Sequence, residues 1–151
     1  MKNLLVMLLV FLMIGIGVPS ALATPGQYGN MKAGELDSIE TDDLQYIREE
    51  EKLARDVYLE LFEYWNDRIF MNIAQSEQRH MDQMLRMIKL YDIEDPVSGY
   101  PVGEFSTSEF TKLYDTLVEQ GRQSLEDALE VGAWVDELDI LDLRDAIANT
   151  D

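Results

Sequence analysis

Cysteine is absent from the 151-residue chain, which excludes disulfides and thiolate metal sites alike. Histidine occurs once, at His80, and 12 lysines and arginines face 30 aspartates and glutamates, a formal charge of −18. Such a balance rules out the clustered basic surface that a nucleic-acid partner requires. It also disfavours anionic membrane surfaces, while it favours solubility and attracts cations. No glycine-rich phosphate loop and no HExxH occur, and the single histidine has no serine or cysteine partner in a recognisable motif. Hydrolase and peptidase chemistry therefore has little footing. The length fits one domain with a single modest core.

The one long apolar run lies at the start. Lys2 precedes Leu4 to Val18, and Pro19-Ser20-Ala21-Leu22-Ala23 ends in a small-x-small site. The pattern predicts a signal peptide over residues 1–23, cleaved after Ala23. An uncleaved anchor is the alternative, but 15 apolar residues are short for a bilayer. The mature chain is then expected to be secreted, periplasmic or on the cell surface, with no membrane attachment. Residues 24–41, rich in glycine and small polar side chains, read as a flexible leader. Residues 42–151 read as the folded domain.

Helical periodicity dominates that domain. Asp42 and Gln45 form a capping-box pattern that opens a helix from about Asp43 to Trp65. Leu44, Ile47, Glu51, Ala54, Tyr58, Leu61 and Trp65 then follow 3-4 spacing. Asn66-Asp67 breaks the chain, and a second helix is expected from about Phe70 to Tyr91. So short a link makes the two antiparallel neighbours. A loop with Pro96, Gly99, Pro101 and Gly103 follows. Ser106 with Glu109 predicts the cap of a short helix ending near Gly121. Ser124 caps a third long helix that reaches about Ala148. No strand or solenoid repeat competes, so the fold class is all-α, a bundle of three long helices and one short one.

The candidate chemistry sits where acids interrupt apolar stripes. Phe70, Ile73, Glu77, His80, Met84, Met87 and Tyr91 share one helix face, so Glu77 and His80 stand about a turn apart on a buried seam. Buried charge is costly unless paired or bound to metal. Glu51 interrupts the first helix in the same way, although it also belongs to Arg48-Glu49-Glu50-Glu51-Lys52, which by itself reads as a solvated patch. Tyr58 lies two turns beyond Glu51, where its phenol can bond a buried carboxylate. A lone Glu-x-x-His is a weak motif, and a satisfied surface pair explains it about as well as a metal. Carboxylates with an imidazole suit iron, manganese or zinc. In the third long helix two faces compete. Leu125, Leu129, Gly132, Asp136, Asp139, Leu143 and Ala146 form one; Ala128, Val131, Val135, Leu138 and Leu141 form a wholly apolar rival.

Three segments carry a family resemblance: Glu51-Lys-Leu-Ala54-Arg-Asp-Val-Tyr58, Ser76-Glu77-Gln-Arg-His80-Met81, and Gly132-Ala-Trp-Val-Asp136-Glu-Leu-Asp139-Ile. Together they resemble the DUF2202 family, a ferritin-like group of uncharacterised domains. The resemblance implies a ferritin-like antiparallel bundle with a carboxylate-bridged di-iron site. It implies Glu51, Glu77, His80, Asp136 and Asp139 as metal ligands, with Glu137 as a fallback and Tyr58 in a catalytic, tuning role. It also implies a fourth long helix with a second histidine. With none before Asp151, the expectation is an incomplete bundle: a fragment, a one-ion site, or a homo-oligomer whose other subunit supplies the helix. The expected function is that of an exported iron protein with oxidase, peroxidase or ferroxidase chemistry. A non-enzymatic acidic module, for interaction or cation buffering, is the alternative.

Overall fold

The computed structural model describes residues 36–148, which form four helices and no strand. In chain order these are α1 (Ser38–Trp65), α2 (Arg68–Leu90), α3 (Ser108–Gly121) and α4 (Leu125–Ala148). The expected signal peptide and most of the expected leader lie outside the described residues. Helix α1 is the hub, packing against each of the other three, and α3 also packs on α4. The expectation of a bundle lacking its fourth helix is not supported, because four helices are present. The short α3 does more than connect: it buries Phe110, Leu117 and Val118 against its neighbours.

Capping chemistry sets the boundaries. Helix α1 begins five residues before the expected Asp43, because Asp37 and Glu40 satisfy each other's backbone. Glu40 N donates to Asp37 Oδ1 at 2.9 Å and Asp37 N to Glu40 Oε2 at 3.0 Å. The reciprocal box outcompetes the later Asp42–Gln45 pattern. Asn66, left-handed at φ 52°, closes α1, and Asp67 caps α2 through Ile69 N. The link read from the sequence is thus observed, and it brings α1 and α2 into the most extensive packing of the fold. The cap of α3 is Thr107 instead of the expected Ser106. Ser106 is committed elsewhere: its N–H and hydroxyl both donate to Glu49, at 2.5 and 2.6 Å. Ser124 does cap α4, accepting from Asp127 N at 3.0 Å.

Burial divides the bundle into three levels. One apolar cluster holds Ala54, Val57, Tyr58 and Leu61 of α1 with Phe70 and Ala74 of α2 and Ala128, Val131 and Val135 of α4. Another holds Leu44 and Ile47, Met84 and Met87, and Leu143 and Ala146 of the same three helices. Each large side chain so buried is worth about 1.5–3 kcal/mol against exposure. Between the two clusters each of the three helices carries acids: Glu50 and Glu51, Glu77, and Asp136, Asp139 and Asp142. His80 stands among them.

Candidate metal centre

Helix α1 is enclosed so fully that the run expected to be solvated is buried throughout, from Arg48 to Lys52. Most of its members have dedicated partners on surrounding segments. Arg48 forms a two-pronged bond to Asp95 and donates to Met81 O. Glu49 accepts from Ser106, and Lys52 donates to Asp56 and to Pro101 O. The segment between α2 and α3 therefore wraps the helix and supplies its polar partners. Glu50 and Glu51 are different. Each keeps a buried carboxylate oxygen that receives no hydrogen bond.

Glu51, Glu77 and His80 stand together in the structure. One potential ligand atom from each lies within 4.8 Å of the others. His80 Nδ1 is 2.8 Å from Glu77 Oε2 and 3.2 Å from Glu51 Oε2, with only the Glu77 contact aligned as a hydrogen bond. The imidazole side chain keeps 20 % exposure, which leaves an opening to one side. Burial alone would lower the histidine's pKa, but bonds and charge from Glu51 and Glu77 outweigh it and push it up to about 10. Glu51 is pushed up to about 7 by burial, against the pull of His80. Without a metal, a protonated imidazole holds two acids together.

Helix α4 presents neither of its two candidate faces intact. Its buried residues are Ala128, Val131, Gly132, Val135, Leu143 and Ala146, while Leu125, Leu129 and Leu141 are exposed. A straight helix drifts about 20° per heptad against a 3.5-residue stripe, so the contact line crosses from the apolar face to the acidic one. Asp139 falls on that line, 11 residues and close to three turns after Ala128. Its Oδ1 is buried without a partner, and burial followed by Glu51 and Glu77 pushes its pKa up to about 9. Asp136 sits at the exposed edge and is held by Tyr58, whose hydroxyl lies 2.7 Å from Asp136 Oδ1 and 2.9 Å from Gly132 O. Burial and Asp136 raise the phenol's pKa. Glu137 is exposed. Asp136 and Asp139 thus flank the compact three-residue group without joining it.

Two acids of this level were not singled out in the sequence. Glu50 is only 2 % exposed and Asp142 has a buried, unpartnered Oδ2. Burial, then Asp139, Asp142 and Glu51, push Glu50 up to about 10. The three-residue step from Asp139 to Asp142 was the available signal, once the helix is allowed its natural 3.6-residue period.

Comparison with known proteins agrees with the three sequence segments. The family model described as an uncharacterized protein domain, DUF2202, matches residues 40–151. The chain belongs to this family. Uncharacterized protein MJ0754 of Methanocaldococcus jannaschii is 51% identical over 112 residues, covering 74% of this chain and 60% of the relative. The crystal structure of hypothetical protein MJ0754 from Methanococcus jannaschii is similar with a TM-score of 0.78 and 46% identity, over 82% of this chain and 70% of that one. The chain thus spans about three-fifths of the curated relative's length, 60%.

Proposed function

We propose that this is a ferritin-like metal protein of the carboxylate type, in which Glu51, Glu77 and His80 hold a divalent cation, iron first and manganese or zinc next. The observation that carries the reading is the Glu51 carboxylate. It is buried, its Oε2 receives no aligned hydrogen bond and has only the His80 Nδ1 ion-pair contact at 3.2 Å, and the Glu77 carboxylate stands beside both. Buried oxygens in that state cost free energy unless a cation takes them. Asp139, with its own buried oxygen lacking a partner, would accept from a water on the cation. Oxygen ligands with one nitrogen suit iron and manganese better than a soft metal.

Bound iron would supply redox chemistry toward oxygen or peroxide, of the oxidase, peroxidase or ferroxidase kind. The protein's part is positional. Nδ1 is the ring nitrogen that faces both Glu51 and Glu77, so a cation shared by the three would take Nδ1 in place of the Glu77 hydrogen bond. Tyr58 fixes Asp136 at the rim and stands as a proton donor beside the centre. The two apolar clusters close the level above and below, leaving access at the side beside His80. Export through the signal peptide at residues 1–23 is part of the same proposal.

One observation favours a second reading, a cation-buffering acidic module without redox chemistry. His80 already neutralises Glu51 and Glu77 when protonated, so the pair is satisfied without metal. Anaerobic Fe(II) loading, desalting and metal analysis separate the two. The metal-centre reading expects about one retained ion per chain, the count that a single ligand set holds. A metal-free protein after desalting would sink it and leave the buffering module.

A further inference from the structure

Helix α4 is apolar on the side away from the bundle as well as on the side within it. Val131 and Val135 are buried, while Leu125, Leu129, Trp134, Ile140 and Leu141 keep 41 to 49% exposure. Five of the eleven exposed large apolar side chains among the described residues thus stand on this one helix, grouped as a contact surface is and not scattered singly.

The charges on the outer side say what covers it. Arg144 is the single cationic residue of α4, is exposed, and makes no ion pair among the described residues. The positions that could answer it within its own helix, Ile140, Leu141, Ile147 and Ala148, are all apolar. The first half of the helix carries exposed Glu126 and Glu130, which likewise make no ion pair among the described residues.

Apolar and charged positions fall into one register. Val135 points into the core. Glu126 and Arg144 lie nine residues before and after it, about two and a half turns each way, so both project directly outward. Leu129 and Leu141 lie six residues to either side of Val135, and Glu130 and Ile140 five. A second α4 can therefore lie antiparallel to the first about a two-fold axis level with Val135. That pairing sets Arg144 against the partner's Glu126, and Leu129 beside the partner's Ile140 and the partner's Leu141. Across the axis the same contacts recur. Ala133, exposed near the middle of the face, is small enough for close approach. A parallel pairing would instead set Arg144 on the partner's Arg144 and acids on acids.

We infer that the outer face of α4 is the contact of a symmetric, antiparallel dimer of this chain. Each copy carries a charge of −18. At physiological ionic strength exposed charges more than about 8 Å apart are screened, so the pairs inside the contact decide. A face of this 24-residue helix is about 36 Å long and about 10 Å wide, smaller than the roughly 800 Å² per partner of a standard interface. The dimer is therefore reversible and concentration-dependent. Glu51, Glu77 and His80 take no part in it, so the inference stands apart from the metal-centre reading.

Sedimentation velocity of the full chain over a range of concentrations tests the assignment, with a monomer–dimer equilibrium expected. Arg144→Glu and Glu126→Arg should each raise the dissociation constant about tenfold or more, since each turns two attractive pairs into repulsive ones. The two substitutions together should restore the dimer, because the pair is exchanged and not lost. Leu129→Gln should weaken association without a change of charge. A chain that stays monomeric at every concentration would overturn the inference. So would a dimer indifferent to both Arg144→Glu and Leu129→Gln, which another surface must then hold. Failure of the double exchange to restore association would overturn it as well, by removing the antiparallel register. All three positions are exposed, and helix content by circular dichroism establishes that each variant is folded.

Discussion

His80 Nδ1 stands 3.2 Å from Glu51 Oε2, joining α1 to α2 through the chain's single histidine. In the metal-free protein this contact has a definite pH signature. The histidine pKa rises from 6.5 to about 10, since the two acids outweigh burial. Its contribution is complete below about 6.5 and is lost as pH climbs through 10. Glu51, Asp139 and Glu50 are raised by burial to about 7, 9 and 10. Each keeps a proton in the folded state that the unfolded chain releases above about pH 4, so their contributions also fall with rising pH. All four slopes share one sign. The metal-free melting temperature should fall steadily from about pH 6 to about pH 9; thermal melts across that range check it, and a flat or rising profile refutes it.

Cation binding should invert that trend. The same carboxylates and imidazole must lose their protons to act as ligands, so affinity rises with pH as metal-free stability falls. Melts with saturating Mn(II) or Co(II) are expected to show a stabilisation that is small near pH 6 and large near pH 8. Equal stabilisation at both values would place the cation on surface acids.

Asp139→Asn separates stability from binding at one position. It alters a half-buried acid that has a buried, unpartnered oxygen and three acidic neighbours, Glu51, Glu77 and Asp136. The metal-free variant should melt higher than the unsubstituted chain at pH 8. Its Co(II) affinity should drop about tenfold or more, as for other groups beside a metal's ligands. Isothermal titration and a melt on the same sample test both halves.

Tyr58→Phe probes the phenol's two contacts. Removing the hydroxyl takes away its one hydrogen, for which Asp136 Oδ1 at 2.7 Å and Gly132 O at 2.9 Å compete, in a tight packing where a Cβ on Gly132 would lie 3.1 Å from the ring. The expected loss is about 1–3 kcal/mol in urea unfolding. Asp136→Asn should cost less, because its carboxyl is at the exposed edge and the amide oxygen still accepts from Tyr58. Equal losses would mean that the Asp136 charge, and not the carbonyl of Gly132, is what the phenol serves.

Glu51, Glu77 and His80 were legible in the sequence because each breaks an apolar stripe, and a stripe is a local property of one helix. The link at Asn66-Asp67 was legible for the same reason. The burial of Glu49, Glu50 and Lys52 was not. It arises from Ser106, Asp142 and Pro101, residues some 50 to 90 positions away that no local pattern connects to them. In α4 both candidate faces assumed a 3.5-residue repeat, and the real contact line at 3.6 takes Val135 from one and Asp139 from the other. Asp37 and Glu40 carried a readable box, but a second box five residues on hid it.

Lys52 is the strongest test of how α1 is enclosed. Its side chain, 1% exposed, pairs with the fully buried Asp56 and donates to Pro101 O at 2.8 Å. Asp56 also accepts from Arg55 and, at 3.0 Å, from Gly103 N. Lys52→Met keeps the length of the stem but leaves Asp56 short of a cation and Pro101 O without this donor. Breaking one side of a buried pair costs about 3–5 kcal/mol. Because Arg55 still neutralises Asp56, the loss should fall near the lower end. Hydrogen exchange at Gly103 should accelerate more than at Leu61, since the loop loses its tie while the helix keeps its own bonds. A variant with unchanged exchange at Gly103 would show that Asp56 alone fastens the loop.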